Sequence, residues 1–231
     1  MRRDTFKILM RFDTNFNFGI LALMNTLHKY TVLIVCMLGL IGVPTWVDAS
    51  HRSISSLDRK INKLDDDAVE EMAIPIMYGV SLNQIVDSFG DPRSGGRSHE
   101  GIDIFAARGT LIATPTEAVV TKIVDEDQGF GGLQVWTANP GKESFYYAHL
   151  NGIWPDLEVG DELEPGNIIG FVGNSGNASQ ARPHLHFGIY NEDRTALNPY
   201  NRITTTFSSA LLLTALKEYL ALLKDQLKNN R

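Results

Sequence analysis

The pattern of hydrophobic and polar positions divides the chain into three kinds of segment. Residues 31–43 form one continuous apolar run. From about residue 75 to 200, short runs rich in Val, Ile and aromatic residues alternate with Gly, Pro, Asn and Asp, a pattern typical of strands joined by tight turns. Residues 207–227 carry leucines three or four positions apart, which predicts an amphipathic helix within residues 201–231.

The predicted strands are short and closely spaced. They are Leu111–Ala113, Ala118–Val124, Gln134–Thr137, Phe145–Tyr147, Ile168–Val172 and His184–Ile189. No helical pattern between them is long enough for the crossovers of a parallel sheet. The chain is therefore predicted to be mainly β, with an antiparallel β-sheet domain over residues 75–200.

The apolar run at residues 31–43 has the length of a signal-peptide core. Val47 and Ala49 form a small-residue pattern before Ser50, so residues 1–49 are predicted to be a signal peptide. Translation from Met24 would give this peptide ordinary proportions. The alternative is an uncleaved signal anchor, although Tyr30–Val47, at 18 residues, falls just short of the ~20 residues that span a bilayer. Both place the remaining chain outside the cytoplasm, in the periplasm or cell envelope.

Residues 50–74 are charged and compatible with a helix. Apolar Ile54, Leu57, Ile61 and Leu64 recur every three or four positions, but the segment is too short for a stable coiled coil. It is predicted to be a helical spacer or a pro-segment in front of the β domain.

The charge of the chain excludes one class of function. The 21 Lys and Arg against 27 Asp and Glu give a net charge of -6. Proteins that bind nucleic acid need a basic surface, so that function is not expected. Cys36 is the single cysteine, so no intrachain disulfide can form. The sequence does not indicate an oligomeric state.

Four of the six histidines fall in three short clusters of the predicted β domain, at residues 98–103, 146–150 and 183–187. His184 and His186 lie two apart on a predicted strand, so they project from the same face. Two imidazoles on an otherwise apolar strand are costly unless they share a metal, a proton or a substrate. This pair is therefore the first candidate for chemistry.

Zinc takes imidazole and carboxylate ligands, and its catalytic sites use three protein ligands with one position open to water. His99, Asp103 and one histidine of the 184/186 pair would complete such a set. The other histidine of the pair and His149 would then be free for acid–base chemistry.

The ordered motifs H-x3-D, YAHL and HLHF resemble those of the lysostaphin-like, LytM-type zinc metalloendopeptidases, which share the duplicated hybrid motif fold. Phe89–Arg93, Gly101–Ile104 and Ile169–Gly176 also fit the pattern of this family. The resemblance covers about residues 75–200. It implies a two-layer antiparallel β-sheet whose groove holds the metal.

Carried over by position, the resemblance implies that His99, Asp103 and His186 bind one Zn²⁺ per chain. It also implies that His149 and His184 are the catalytic pair. The implied activity is hydrolysis of peptide cross-links in bacterial peptidoglycan, so the implied partners are its stem peptides. The membrane would be contacted only through an N-terminal anchor.

The alternative is a non-catalytic LytM-type adaptor that activates another cell-wall hydrolase. Such a protein is expected to lack one or more of the five side chains, and all five are present. Glu100 follows a ligand but should point away from it on an extended segment. Arg93 and Arg97 are candidates for contacting substrate carboxylates, and a solvated loop is the other interpretation.

Overall fold

The computed structural model describes residues 56–229. The predicted signal peptide or anchor at residues 1–49 lies outside these residues, as does the start of the predicted spacer. Within the described range, no helix is long and apolar enough to cross a lipid bilayer.

The described residues are mainly β, as predicted. The strands are β1 (Met72–Ala73), β2 (Pro92–Arg93), β3 (Arg97–Ser98), β4 (Ile102–Phe105), β5 (Leu111–Ala113), β6 (Ala118–Val124), β7 (Leu133–Asn139), β8 (Glu143–Ile153), β9 (Glu162–Leu163), β10 (Ile168–Val172), β11 (His184–Tyr190), β12 (Ala196–Leu197) and β13 (Ile203–Thr205). Strand β8 is much longer than the three residues predicted from its apolar core.

Nine of these strands form one antiparallel sheet. Its main order is β12-β11-β8-β7-β6-β9, with β4 paired to β11 and with β10 paired to both β8 and β5. The hairpin β2–β3 stands apart from it, and β1 and β13 form a short parallel pair. The predicted antiparallel fold is thus confirmed.

Strand β11 shows how the sequence separates core from site. Leu185, Phe187 and Ile189 are completely buried in the core. Full burial of such a side chain contributes about 1.5–3 kcal/mol. The ring of Phe187 meets that of Phe145 on β8 edge-on, with centroids 5.5 Å apart. Because side chains alternate along a strand, the same burial fixes the histidines of β11 on the opposite face.

Strand β8 is irregular at His149. On one side its partner changes there from β11 to β10, and on the other side its pairing with β7 shifts register. Tyr147 is opposite Val135 of β7, while Leu150 is opposite Leu133, so three steps on β8 match two on β7. The extra residue is a β-bulge, and His149 within it has a left-handed backbone with φ of 62°. A bulge bends its strand and re-aims a side chain.

Two helical segments flank the sheet. Residues 56–61 are helical, and the segment that follows is tied to the domain where Gly141 donates its N–H to the Asp65 carbonyl, 2.9 Å away. The predicted C-terminal helix spans Ser209–Asn229. Its Ala215 is buried, and its Tyr219 ring lies 5.5 Å from that of Phe171 on β10.

Candidate metal centre

The register between β4 and β11 brings two predicted ligands together. Asp103 and His186 are directly opposite each other in this antiparallel pair. His99 lies four residues before Asp103, just ahead of β4, and its backbone N–H bonds to the carbonyl of Asp91 at 2.9 Å. Residues 87 positions apart in the chain therefore meet through one strand pairing and the turn in front of it.

The three ligand atoms form a small triangle. The distance from His99 Nε2 to His186 Nδ1 is 2.9 Å, and Asp103 Oδ1 lies 3.0 Å from His99 Nε2 and 3.2 Å from His186 Nδ1. A tetrahedral zinc site with bonds of 2.0–2.1 Å has edges of about 3.3 Å. The donor set and its spacing therefore fit a zinc ion, and these three residues form a group that could hold a metal.

Gly101 allows this close approach. A Cβ on Gly101 would lie 2.5 Å from the backbone oxygen of Phe187 and 2.9 Å from ring atoms of His186. Any side chain at this position would push β11 away from the segment that carries His99. Absence of a side chain here is thus a geometric requirement of the triangle.

Hydrogen bonds to backbone carbonyls set the tautomers of three histidines. His99 Nδ1 lies 2.7 Å from the backbone oxygen of Ser88. His149 Nδ1 lies 2.9 Å from that of Ser175, and His184 Nδ1 lies 2.7 Å from that of Arg182. A carbonyl oxygen can only accept, so Nδ1 carries the proton in each ring. The neutral rings therefore present the lone pair on Nε2. His186 differs because its Nδ1 faces the triangle.

The structure places both predicted catalytic histidines beside the triangle. The rings of His149 and His184 have centroids 5.0 Å apart, and that of His149 lies 5.8 Å from the ring of His186. His184 Nε2 is 3.9 Å from Asp103 Oδ1. Both side chains are largely buried. All five predicted site residues thus share one patch of the sheet.

The surroundings shift the pKa values of Asp103, His149 and His186, and these shifts fix which of the three side chains is charged. Burial alone would raise the pKa of Asp103, but its close contacts with the rings of His186 and His99 outweigh burial and hold that pKa far below its ordinary value. Burial, aided by the charges of His184 and His186, lowers the pKa of His149 to about 4. Burial also lowers the pKa of His186. At neutral pH an ionised carboxylate therefore lies near the uncharged imidazoles of His149 and His186.

Aromatic side chains that the sequence reasoning missed form a wall beside the triangle. Tyr146 stacks on Trp136 with centroids 4.2 Å apart and meets the His186 ring at 5.5 Å. Tyr190 donates a hydrogen bond to Glu100 Oε2 at 3.3 Å. Burial raises the pKa of Tyr146 to about 12, so this phenol stays protonated. Trp136 and Tyr146 are cross-strand partners, a relation that only the register reveals.

Arg93 and Arg97 lie opposite each other on the hairpin β2–β3. Arg93 Nη2 donates to Asp103 Oδ2 at 2.6 Å, a contact that sequence reasoning did not anticipate. The guanidinium of Arg97 lies 4.1 Å from the centre of the Phe130 ring. The exposed Glu100 bonds to Tyr190 rather than to the histidines.

These side chains line two recesses that share Glu100, Tyr146 and Tyr190. A cavity of about 640 Å³ contains the five histidine and aspartate side chains together with Arg93 and Arg97. A larger groove of about 1060 Å³ continues along the sheet past Trp136 to residues 61–66. Glu100, Tyr146 and Tyr190 line both, so an extended chain lying over the triangle could continue into the groove.

Residues 97–199 match the family model described as Peptidase family M23. The chain is similar to the L-Ala–D-Glu endopeptidase of Bacillus subtilis (strain 168), with 37% identity over 126 residues that cover 49% of this chain and 37% of that protein. It is also similar to the glycyl-glycine endopeptidase ALE-1 of Staphylococcus capitis, with 30% identity over 92 residues that cover 40% of this chain and 24% of that protein.

Among solved structures, the chain is similar to the catalytic domain of the antimicrobial peptidase lysostaphin from Staphylococcus simulans. The identity is 28% and the TM-score 0.44, and the match covers 51% of this chain and 91% of that domain. The chain spans only 37% of the length of the first of these curated relatives and 24% of the length of the second.

Proposed function

We propose that this protein is a zinc-dependent endopeptidase that hydrolyses peptide cross-links of bacterial peptidoglycan, because residues 97–199 match the family model described as Peptidase family M23. One observation carries the proposal. Three ligand atoms lie within 3.2 Å of one another, and the imidazoles of His149 and His184 lie beside them with each Nδ1 held by a backbone carbonyl.

His99, Asp103 and His186 would hold the zinc ion, one per chain. When bound, zinc polarises a scissile carbonyl and lowers the pKa of its water toward about 7. The ligands supply a single negative charge, from Asp103, because burial keeps His186 neutral and the Nδ1–H of His99 is bound to a carbonyl. The site would therefore keep a net positive charge next to a substrate carbonyl oxygen.

His149 and His184 would handle protons. Each has its Nδ1–H held by a backbone carbonyl, so Nε2 is the ring nitrogen that can accept a proton. After Nε2 takes a proton from the attacking water, the carbonyl still accepts from Nδ1–H and so stabilises the imidazolium. The same proton can then pass to the leaving amine. Buried surroundings keep both rings in one orientation throughout.

The shape and chemistry of the recesses suit a peptide. The groove next to the triangle has a volume of about 1060 Å³, and its wall of Trp136, Tyr146 and Tyr190 offers broad aromatic faces. Both named relatives are endopeptidases: one is an L-Ala–D-Glu endopeptidase and the other a glycyl-glycine endopeptidase. We therefore propose the stem peptides of peptidoglycan as the substrate, met outside the cytoplasm after export through the predicted N-terminal segment.

The proposal is tested with purified full-length protein, by metal analysis and by mass spectrometry of fragments released from sacculi of defined cross-link chemistry. We expect one zinc per chain and fragments with a newly exposed amino group at one cross-link bond. His149→Asn should abolish release while the zinc remains. A protein that binds zinc but releases no fragment from any sacculus would contradict the endopeptidase. Absence of bound metal would instead favour the adaptor.

A further inference from the structure

The two oxygens of the Asp103 carboxylate have different partners. Oδ1 faces the triangle, 3.0 Å from His99 Nε2 and 3.2 Å from His186 Nδ1. Oδ2 points to the other side and accepts a hydrogen bond from Arg93 Nη2 at 2.6 Å. The carboxylate is thus divided between the candidate metal position and a guanidinium.

We infer that Arg93 is a positioning residue that restricts Asp103 to metal binding through Oδ1 alone, an inference that rests on the proposed metal site. A carboxylate can bind a cation through one oxygen or through both. Binding through both would fill a coordination position that a hydrolytic site must leave for water. A guanidinium on Oδ2 opposes this, because the charge-assisted hydrogen bond would have to break before Oδ2 could turn inward.

The hairpin that carries Arg93 is fixed to the ligand segment by the backbone. His99 donates its N–H to the Asp91 carbonyl at 2.9 Å, and Gly90 donates to the His99 carbonyl at 2.8 Å. The turn between β2 and β3 uses Gly95 and Gly96, both with positive φ. Because these bonds join the base of the hairpin to a ligand residue, the Arg93 backbone keeps a set position relative to the triangle.

Burial also favours a positioning role. The Asp103 side chain is 13% exposed, whereas that of Arg93 is 38% exposed. The guanidinium therefore covers the outer oxygen of the carboxylate while its own remaining N–H groups reach water. Hydrogen-bonded partners of this kind orient metal ligands, and losing one typically weakens metal affinity about 10–100-fold.

Arg97 provides a matched control. It is the cross-strand partner of Arg93 in the same hairpin, but its guanidinium lies over the Phe130 ring. Arg93→Gln, Arg93→Lys and Arg97→Gln are compared in the full-length protein, after melting curves have shown that each is folded. Zinc affinity is measured by competition with a chromophoric chelator. The coordination number is read from the visible absorption of the Co²⁺-substituted protein, which weakens as coordination rises above four.

We expect Arg93→Gln to raise the zinc dissociation constant about tenfold and to weaken the Co²⁺ absorption, because Oδ2 becomes free to bind. Arg93→Lys, which keeps a donor and the charge, should recover part of both. Arg97→Gln should match the parent protein in both measurements.

Three results would overturn the inference. Arg93→Gln could leave affinity and spectrum unchanged but raise the KM for peptide substrate, which would make Arg93 a substrate contact instead. It could bind zinc more tightly, which would mean that the positive charge only repels the metal. If the parent protein bound neither Zn²⁺ nor Co²⁺, the proposed metal site would fall together with the role of Arg93, a result distinct from the other two.

Discussion

The ligand triangle and the neighbouring histidine pair are built in different ways. Asp103 and His186 meet because two regular strands pair in register. His149 reaches the same patch through a bulge in β8 and a left-handed backbone. Regular pairing thus sets the proposed metal position, while an irregularity aims the proposed proton-transfer group at it. Bulges beside active sites commonly have this effect.

The two regions also differ in charge. The triangle contains the carboxylate of Asp103, whose pKa is held far below its ordinary value by its close contacts with the rings of His186 and His99 despite burial. His149 has a carbonyl oxygen as its Nδ1 partner, and burial lowers its pKa to about 4. The first region is suited to holding a cation, and His149 in the second is suited to staying neutral until a proton arrives.

The largest expected effect comes from removing the charge of the triangle. Asp103→Asn should weaken zinc binding by more than the roughly 10–100-fold typical of a residue that only supports a ligand. Peptidoglycan cleavage should be lost with the metal. Metal analysis after dialysis and fragment release from sacculi provide the readout. Glu100→Gln, which removes a nearby exposed carboxylate, should retain its zinc. Equal zinc content in Asp103→Asn and the parent would refute the assignment of this ligand.

The next largest effect tests whether the histidine pair can lose its function while the ligand triangle keeps its zinc. His149→Asn should lower kcat about 10²–10⁴-fold, the usual contribution of a general acid or base, while zinc content stays at the parent level. Asn is chosen because it tolerates the left-handed backbone that this position requires. Steady-state kinetics on a soluble cross-linked peptide, together with metal analysis, measure both quantities. Simultaneous loss of zinc would show that the two regions are not separable.

The sequence predicted the parts of the site that depend on regular periodicity. His184 and His186 share a face because strands alternate, and the burial of Phe187 follows from the same rule. The roles of the five side chains came from the family resemblance and remain predictions. The bulge at His149 and the contact of Arg93 with Asp103 could not be predicted, because both depend on which residues face each other after the strands and hairpin have packed.

A smaller effect concerns the stability of the metal-free protein. Burial, with the charges of neighbouring histidines, lowers the pKa of His149 from 6.5 to about 4. The unfolded chain therefore binds this proton first, so this ring leaves the free energy of unfolding unchanged above pH 6.5 and lowers it as the pH falls from 6.5 toward 4. The difference corresponds to about 3 kcal/mol.

Urea unfolding of the chelator-treated protein at a series of pH values measures this decline. His149→Asn should lose less stability than the parent between pH 6.5 and 4, because it lacks the titrating ring. The difference between the two proteins isolates His149 from His186, whose pKa burial also lowers. Parallel curves for parent and variant would contradict the assignment of the decline to His149.

The smallest expected effect tests the backbone of the bulge itself. His149 has φ of 62°, a conformation that costs a residue with a Cβ about 1–2 kcal/mol and costs glycine little. His149→Gly should therefore unfold at a higher urea concentration than His149→Ala, by about 1 kcal/mol in free energy, although glycine normally destabilises a strand. Both variants lack the imidazole ring, so the difference in their free energies of unfolding, measured on metal-free protein at pH 8, reports the cost of the backbone conformation. If His149→Ala were the more stable, the left-handed residue would not be what bends β8, and the contrast between a regular metal site and an irregular proton-transfer site would lose its structural basis.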